Sequence, residues 1–360
     1  MKVNKLKLIN FRNYDELNIS FQEGINLLYG RNASGKTNIV EAISLLSIGK
    51  SFRTNDDQLM IKDGCEVGFV GMNFFKRDNQ DLKMSISKEG KIITYDGNKL
   101  ERLSSLSGIF IALTFIPEDV LLFKDSPSVR RRFLDICLSS LYRRYIKELV
   151  EYRNVLKLRN ALLKNDKVDQ LLIKTYDEKM VSNQHLIMQY RGRVLKKLEI
   201  KTQKIFNLIN NQENQIEIEY INDFDQNLEF DDFKKKVLEQ YSLSFNQDLK
   251  RKSTSLGIHK DDFKLYLNQK EVSEFASQGQ NRLLALSLKL AYGEIVKELT
   301  NDDPVIILDD VLSELDQVHQ EKLLKCLRKY EQVFITSAKE ENIENIHKYQ
   351  VIDKMVIRRN

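Results

Sequence analysis

Between the apolar run INLLYG, residues 25 to 30, and a helical pattern from Lys36 to Leu46 stands the octapeptide GRNASGKT. Nothing else in the chain constrains its fold as tightly. The segment fits G-x-x-x-x-G-K-[ST] over Gly30, Arg31, Asn32, Ala33, Ser34, Gly35, Lys36 and Thr37, and it has the strand-then-helix flanks that a phosphate-binding loop requires. The N–H groups of such a turn and the N-terminus of the helix behind it converge on an anion. Lys36 is then the cation for the β- and γ-phosphates of a nucleotide, and Thr37 offers its hydroxyl to Mg²⁺. With Asn38 at the helix entry, these are the candidate nucleotide residues.

A second signal is PVIILDDVLSELD. Four apolar residues, Val305 to Leu308, carry Asp309 to the end of a buried strand, where a carboxylate can support the metal ion. Asp310 follows, placed to orient or deprotonate a water as the catalytic carboxylate. The two signals lie 273 residues apart, so the nucleotide-binding head must be split, with other structure inserted between its halves.

That insertion is visible in the periodicity. The first hundred residues alternate as strands (KLKLINF, LNISF, EVGFVGMNFF, DLKMSIS, KIITYDG), and IFIALTFI at 109 to 116 reads as a buried one. At Ser126-Pro127, a suitable N-cap and first helical turn, the period changes. Leu134, Leu138, Leu141, Tyr145, Leu149, Tyr152 and Leu156 then form a heptad-like seam. After a polar break, KNDKVDQ, a second helical segment runs from about Leu171 to Leu208. The expectation is an antiparallel helical hairpin of roughly 55 Å per arm at 1.5 Å per residue. Strands return at 215 to 221 and 263 to 268, with 222 to 235 as loop. The close alternates a helix from Gly279, the strand VIILDD, a helix near 317 to 330 and the strand QVFIT, which implies a sheet buried on both faces. The tail VIDKMVIRRN has only a weak strand pattern. The fold class expected is α/β: a split head of mixed sheet and helices over 1–123 and 213–360, and a helical-hairpin lobe over 124–212.

With 30% charged and 42% hydrophobic residues and no long apolar run, no membrane partner is expected. MKVNKLKLINF is too charged for a signal peptide, and the expected location is cytoplasmic. Cys65, Cys137 and Cys326 are widely spaced and read as core thiols. Four scattered histidines give no metal site.

Ser277-Gln278-Gly279-Gln280, followed by a helix some 30 residues before VIILDD, resembles the signature motif of ABC-type ATPases, and SELD, ending at Asp316, resembles their D-loop. The blocks LINFRNYDEL, GKTNIVEAI, GKSFRT, FIPEDVLLFKDSPSVRRRFLD, GIHKDD, FASQGQNRLLALSLKLA and ILDDVLSELD together resemble the bacterial RecF family of recombination and repair proteins. That resemblance implies an ABC-type head, a homodimer formed around two ATP molecules with Mg²⁺, and slow ATP hydrolysis. It also implies binding to double-stranded or gapped DNA, with RecO and RecR as partners in directing RecA onto gaps coated by single-strand-binding protein. Carried over, Ser277, Gln278, Gly279 and Gln280 act on the nucleotide of the opposite subunit and Asp316 couples the two sites. The chain departs from the wider ABC pattern in three places. Asp310 stands where glutamate is common, Glu118 stands near the Q-loop glutamine position, and Thr336 replaces a switch histidine.

From Lys124 to Lys164 there are eleven Lys or Arg against four Asp or Glu, in a chain whose net charge is +5. Such a run can simply solvate a helix. On one lobe of an ATPase it suggests instead a salt-dependent surface for duplex backbone, with Arg130, Arg131, Arg132, Arg143 and Arg144 as candidates beside Arg153, Lys157 and Arg159. Lys250, Arg251, Lys252 and Lys260 would extend it. Two other readings share the head chemistry: the ATPase subunit of an ABC transporter, and a scaffold that binds ATP without hydrolysing it.

Overall fold

A computed structural model describes residues 1–359. The chain divides into two compact units, one made of residues 1–120, 205–212 and 282–360, the other of 121–204 and 213–281. This division differs from a head over 1–123 and 213–360 around a lobe over 124–212, since 205–212 group with the first unit and 213–281 with the second.

The first unit is built on two six-stranded sheets. One contains β1 (Lys2–Phe11), β2 (Tyr14–Ser20), β4 (Gly68–Phe75), β5 (Asn79–Ser87), β6 (Gly90–Tyr95) and β7 (Asn98–Lys99), in the order β2-β1-β4-β5-β6-β7 and antiparallel throughout. Its strands alternate buried and exposed residues, as a sheet with one wet face should. The other has the order β15-β14-β3-β13-β12-β8, from β3 (Gly24–Tyr29), β8 (Ala112–Phe115), β12 (Val305–Asp309), β13 (Gln332–Ser337), β14 (His347–Ile352) and β15 (Met355–Arg359). It is parallel except for the β14–β15 hairpin. Every residue of β12 and β13 is buried, the mark of a strand covered on both faces. Helix α1 (Lys36–Ile48) follows β3 directly. The weakly patterned tail is thus a true edge hairpin.

The second unit contains α2 (Pro127–Leu141), α3 (Arg143–Leu162), most of α4 (Gln170–Asn210), β9 (Ile216–Ile221), α5 (Phe230–Arg251), β10 (Asp262–Leu267), β11 (Lys270–Glu271) and α6 (Val272–Phe275). The three strands form an antiparallel sheet. Two expectations fail here. The seam is not one helix: Tyr142 adopts an extended backbone (φ −129°, ψ 104°), so the first arm is two shorter helices, while α4 runs 41 residues, about 61 Å at 1.5 Å per residue. The stretch taken as loop to residue 235 becomes α5 from Phe230, whose Phe233, Val237 and Tyr241 recur every four residues and are buried. Among the remaining elements, α7 (Gln278–Thr300) starts in the second unit and continues into the first, and α8 (Gln317–Leu327) ends three residues earlier than expected. Ser126 is the N-cap of α2 with Pro127 behind it, though its hydroxyl makes no capping bond. Cys137 and Cys326 are buried thiols, while Cys65 is half-buried.

Charges fill much of the second unit's interior. Arg159, fully buried, donates to Asp177 at 2.6 Å, Asp248 at 2.7 Å and Thr254 at 2.8 Å. Arg191 donates to Asp135 at 2.9 Å, Asp261 at 2.8 Å and the Ile258 carbonyl at 2.8 Å. Buried charges persist only when paired and hydrogen-bonded in this way. The block GIHKDD supplies this core. Gly257 (φ +122°) lies where a Cβ would press on the Tyr152 and Tyr241 hydroxyls, His259 sits between the Tyr152 hydroxyl and the Thr254 carbonyl, and Asp261 and Asp262 receive arginines.

Candidate nucleotide site

The loop Gly30–Gly35 joins β3 to α1 in the first unit. Its two glycines are required by the backbone. Gly30 has φ +153° and a Cβ there would collide with the Val351 carbonyl of β14, whereas Gly35 has φ +112° and a Cβ would collide with the Tyr14 hydroxyl. Both torsions lie where side chains are strained. Ala33 is also left-handed, at φ +65°. Arg31, Asn32 and Ala33 are exposed. The Lys36 ammonium is nearly buried and donates to the Gly30 carbonyl at 2.7 Å and the Arg31 carbonyl at 2.9 Å. Desolvation lowers its pKa from the usual lysine value, an effect the carboxylates of Asp310 and Asp309 partly offset.

β12 lies two strands from β3 in the same sheet and ends at Asp309, 6% exposed. Its Oδ1 accepts from the Thr37 hydroxyl at 2.9 Å and from the Thr336 hydroxyl at 2.7 Å. Loop, acidic strand and neighbouring strand β13 thus meet at one carboxylate oxygen. Desolvation raises the pKa of Asp309 above the ordinary carboxylate value, and the two hydroxyls only partly reverse that. Thr336 has a second role: it accepts from the Asp310 amide at 2.9 Å. Asp310 itself is exposed, turned out of the strand by a left-handed φ of +55°, and its carboxylate accepts from the Ser313 hydroxyl at 3.2 Å. A buried acid and an exposed one therefore sit side by side at the strand end. Asp316 caps α8, accepting from the His319 amide at 3.0 Å and contacting its ring at 2.6 Å.

Several residues that the motifs did not name complete this site. The buried Glu41 of α1 receives Arg12 through two bonds, at 2.9 and 2.5 Å, with Ser51 at 2.5 Å and Arg53 at 3.4 Å. Three of the sequence blocks, LINFRNYDEL, GKTNIVEAI and GKSFRT, thereby converge on one carboxylate. Asn38 donates to Asn13 at 2.7 Å and accepts from Arg53 at 2.8 Å. Among the described residues, Tyr14, fully buried against Gly35, has no partner for its hydroxyl, and neither does the Ser34 hydroxyl within the loop itself. A sequence signal existed only in the nearness of Arg12, Asn13 and Tyr14 to a strand end; nothing tied them to residue 35.

The signature segment lies in the second unit and opens α7. Ser277 and Gln280 cap the helix reciprocally: the Ser277 hydroxyl accepts from the Gln280 amide at 3.2 Å and the Gln280 side chain accepts from the Ser277 amide at 3.0 Å, a capping box. Gln278 and Gly279 are exposed between them. Gly279 has neither a positive φ nor any atom within 4 Å of where a Cβ would stand, so no neighbour among the described residues demands a glycine. One turn on, in the first unit, Arg282 pairs with Glu314 of the SELD block and donates to its carbonyl at 3.0 Å. Glu118 is exposed; its neighbour Asp119 pairs with Lys289.

The basic candidates separate into two kinds. Arg130, expected on the surface, is 9% exposed, with both Nε and Nη2 donating to Asp262 at 2.8 Å and Nη1 to the Asp125 carbonyl at 2.7 Å. Its charge is spent holding α2 to β10. Arg159 is likewise buried, Arg131 donates to the Asp261 carbonyl, and Arg153 pairs with Asp135. Arg132, Arg143, Arg144 and Lys157 are exposed, as are Lys250, Arg251, Lys252 and Lys260. Part of the excess counted along residues 124–164 is offset by acids from outside that segment, Asp262 on Arg130 and both Asp177 and Asp248 on Arg159.

A phosphate loop and an acidic strand end sharing one parallel sheet, in a chain whose head is split around an insertion, define the class of ABC and SMC ATPase heads. Comparison with known proteins narrows this: the chain belongs to the RecF/RecN/SMC N-terminal domain family, whose model matches residues 2–357, and within it to the RecF DNA replication and repair proteins. It is 39% identical over 336 residues to RecF of Clostridium novyi, covering 92% of each chain. With RecF of Clostridium acetobutylicum it shares 37% identity over 361 residues, 99% of this chain and 98% of that one. A solved structure of the recombination mediator protein RecF with ATP, in the RecFOR pathway, superposes with a TM-score of 0.94 at 34% identity, covering 100% of this chain and 98% of the other. The head domain of Smc from Pyrococcus furiosus shares the fold, with a TM-score of 0.57 at 15% identity. No helix among the described residues is long and apolar enough to cross a membrane.

Proposed function

We propose that this chain is an ATP-driven DNA-binding dimer of recombinational repair, and that it hydrolyses ATP slowly with Mg²⁺. The observation that carries this is the single carboxylate oxygen of Asp309 that gathers Thr37 and Thr336, because it joins the phosphate loop to the exposed Asp310. The loop suits a polyphosphate: its backbone is opened by two glycines without room for a Cβ, and the buried Ser34 hydroxyl is unpartnered. Lys36 would lie against the β- and γ-phosphates, with its lowered pKa restored by their charge. Thr37 and Asp309 would hold Mg²⁺, which is usually bound by one or two carboxylates together with substrate phosphates; the ion would neutralise charge on the transferring phosphoryl group. Asp310 would orient the attacking water and take its proton. Its carboxylate is one methylene shorter than glutamate, which fits slow turnover.

Gly279, exposed and unconstrained in its own chain, supports a role for Ser277 to Gln280 at the nucleotide of a second copy, with Asp316 linking the two sites. The name of the solved ATP-bound relative supports ATP and the RecFOR pathway, hence RecO and RecR as partners in loading RecA at gapped duplex DNA. A transporter subunit is disfavoured by the same kinship. The test is nucleotide binding, dimerisation and turnover in the parent, Lys36→Met and Asp310→Asn. Lys36→Met should lose nucleotide binding, while Asp310→Asn should bind ATP and dimerise without turnover. Unchanged hydrolysis in Asp310→Asn would overturn the catalytic assignment, and no hydrolysis in the parent would leave an ATP-binding scaffold.

A further inference from the structure

Four arginines of the second unit, Arg130, Arg153, Arg159 and Arg191, are paired with carboxylates, which sets apart the cations that are not. Arg193, Lys196, Lys197 and Lys204 of α4 are all exposed and have no hydrogen-bond or ion-pair partner among the described residues. At 3.6 residues per turn they fall within a sector of about 100°, over a length of about 16 Å. Ile200, 70% exposed, is on the same face. The one acid in this stretch, Glu199, points to another side and accepts from the Ile218 amide at 2.7 Å. The row continues past the N-terminal end of this face. Tyr190 packs on Tyr142 with ring centroids 4.6 Å apart, and Arg193 lies near enough to Tyr142 to act on its titration. Tyr142 is the break between α2 and α3, so the exposed Arg143 and Arg144 begin where the α4 row starts.

Like charges at i, i+3 and i, i+4 weaken a helix rather than support it. Folding therefore gives no reason for Arg193, Lys196 and Lys197 to cluster without acids between them, whereas a polyanion does. A straight row of about 16 Å spans roughly five base steps of a duplex at 3.4 Å each. Cations in a row along a helix, with tyrosines only at its N-terminal end, suit the phosphates of the backbone.

We infer that the outer face of α4, Arg193, Lys196, Lys197 and Lys204, is the surface on which this protein carries the backbone of duplex DNA, with Arg143 at its end. This rests on the DNA-binding reading above and leaves out Arg130, which is buried. The test uses the full chain with ATP and Mg²⁺, and measures duplex affinity against salt for the parent and for the fourfold variant Arg193→Gln, Lys196→Gln, Lys197→Gln, Lys204→Gln. A charge-matched control carries Lys167→Gln, Lys174→Gln, Lys235→Gln and Lys236→Gln. The fourfold variant should bind at least about tenfold more weakly, with the slope of log K against log salt reduced by about 3 to 4. Its melting temperature should be unchanged or slightly higher, since repulsion has been removed; a fall would mark the row as structural. The control should keep the parent's slope. Equal losses in both variants would mean that net charge alone matters and would overturn the assignment, as would a fourfold variant that binds like the parent. If the variant lost binding to anionic phosphatidylserine vesicles but not to duplex, the face would serve a membrane instead. A parent that bound no duplex at all would overturn the DNA-binding reading itself, and this surface with it.

Discussion

At the scale of single residues, the two acids at the end of β12 depend on Thr336. Its hydroxyl donates to Asp309 and accepts from the Asp310 amide, fixing both acids at once. Thr336→Val keeps the shape and removes both bonds. It should cost about 1–3 kcal/mol, the penalty for leaving buried polar groups unmet, and should lower ATP turnover well beyond its effect on ATP affinity. Thr336→Ser should restore most of both in unfolding and turnover assays. The two perturbed ionisations also set a pH window. Asp309 titrates above its ordinary 3.8, so at the proposed Mg²⁺ site protons would compete with the ion at a higher pH than at an exposed aspartate. Lys36 titrates below its ordinary 10.5, so its charge is lost earlier on the alkaline side. Mg²⁺-dependent ATP affinity should therefore fall at both ends, and Asp309→Asn should abolish the acidic limb in calorimetric titrations.

At the scale of elements, the second unit is held by ion pairs between distant segments, and its stability should show it. Arg159 reaches three partners with no exposed surface. Arg159→Leu leaves Asp177 and Asp248 buried without their cation, which should cost about 3–5 kcal/mol, read from denaturant midpoints. His259 gives the unit a pH dependence. Burial depresses it from 6.5 to about 4, so the folded state binds fewer protons than the unfolded one between those values. Stability is then full above pH 6.5 and declines as pH falls toward 4, by roughly 3 kcal/mol at most, and His259→Gln should flatten that limb. These pairs also explain which parts of the molecule could be read from sequence. GRNASGKT and VIILDD are legible because each writes its chemistry within a dozen contiguous residues. The burial of Arg130 is not legible locally because its partner, Asp262, lies 132 residues away, beyond the reach of a local count of charges. The heptad rhythm continues across Tyr142 and hides the break there, and the acidic first turn of α5 reads as loop although Phe233, Val237 and Tyr241 mark a buried face.

At the scale of the whole molecule, the chain leaves its head at Leu121, returns at Ile205, leaves again at Glu213 and comes back for good at Arg282. Phosphate loop and signature are thus assigned to different units, and Arg282, in contact with Glu314, begins the head one turn after Ser277. If each nucleotide lies between the loop of one copy and the signature of another, the two motifs can be disabled in separate molecules and complement one another. Lys36→Met and Ser277→Arg should each be inactive alone. In an equal mixture, a dimer with one copy of each has one site built from the intact loop of the second and the intact signature of the first, while its other site carries both defects. Random pairing under two-fold symmetry makes half the dimers mixed, so hydrolysis should return to roughly a quarter of the parent's. A site complete within one chain would return nothing, because every molecule in the mixture carries one disabling change. Steady-state phosphate release, measured as the ratio of the two variants is varied at fixed total protein, should peak at equal amounts and vanish at either end.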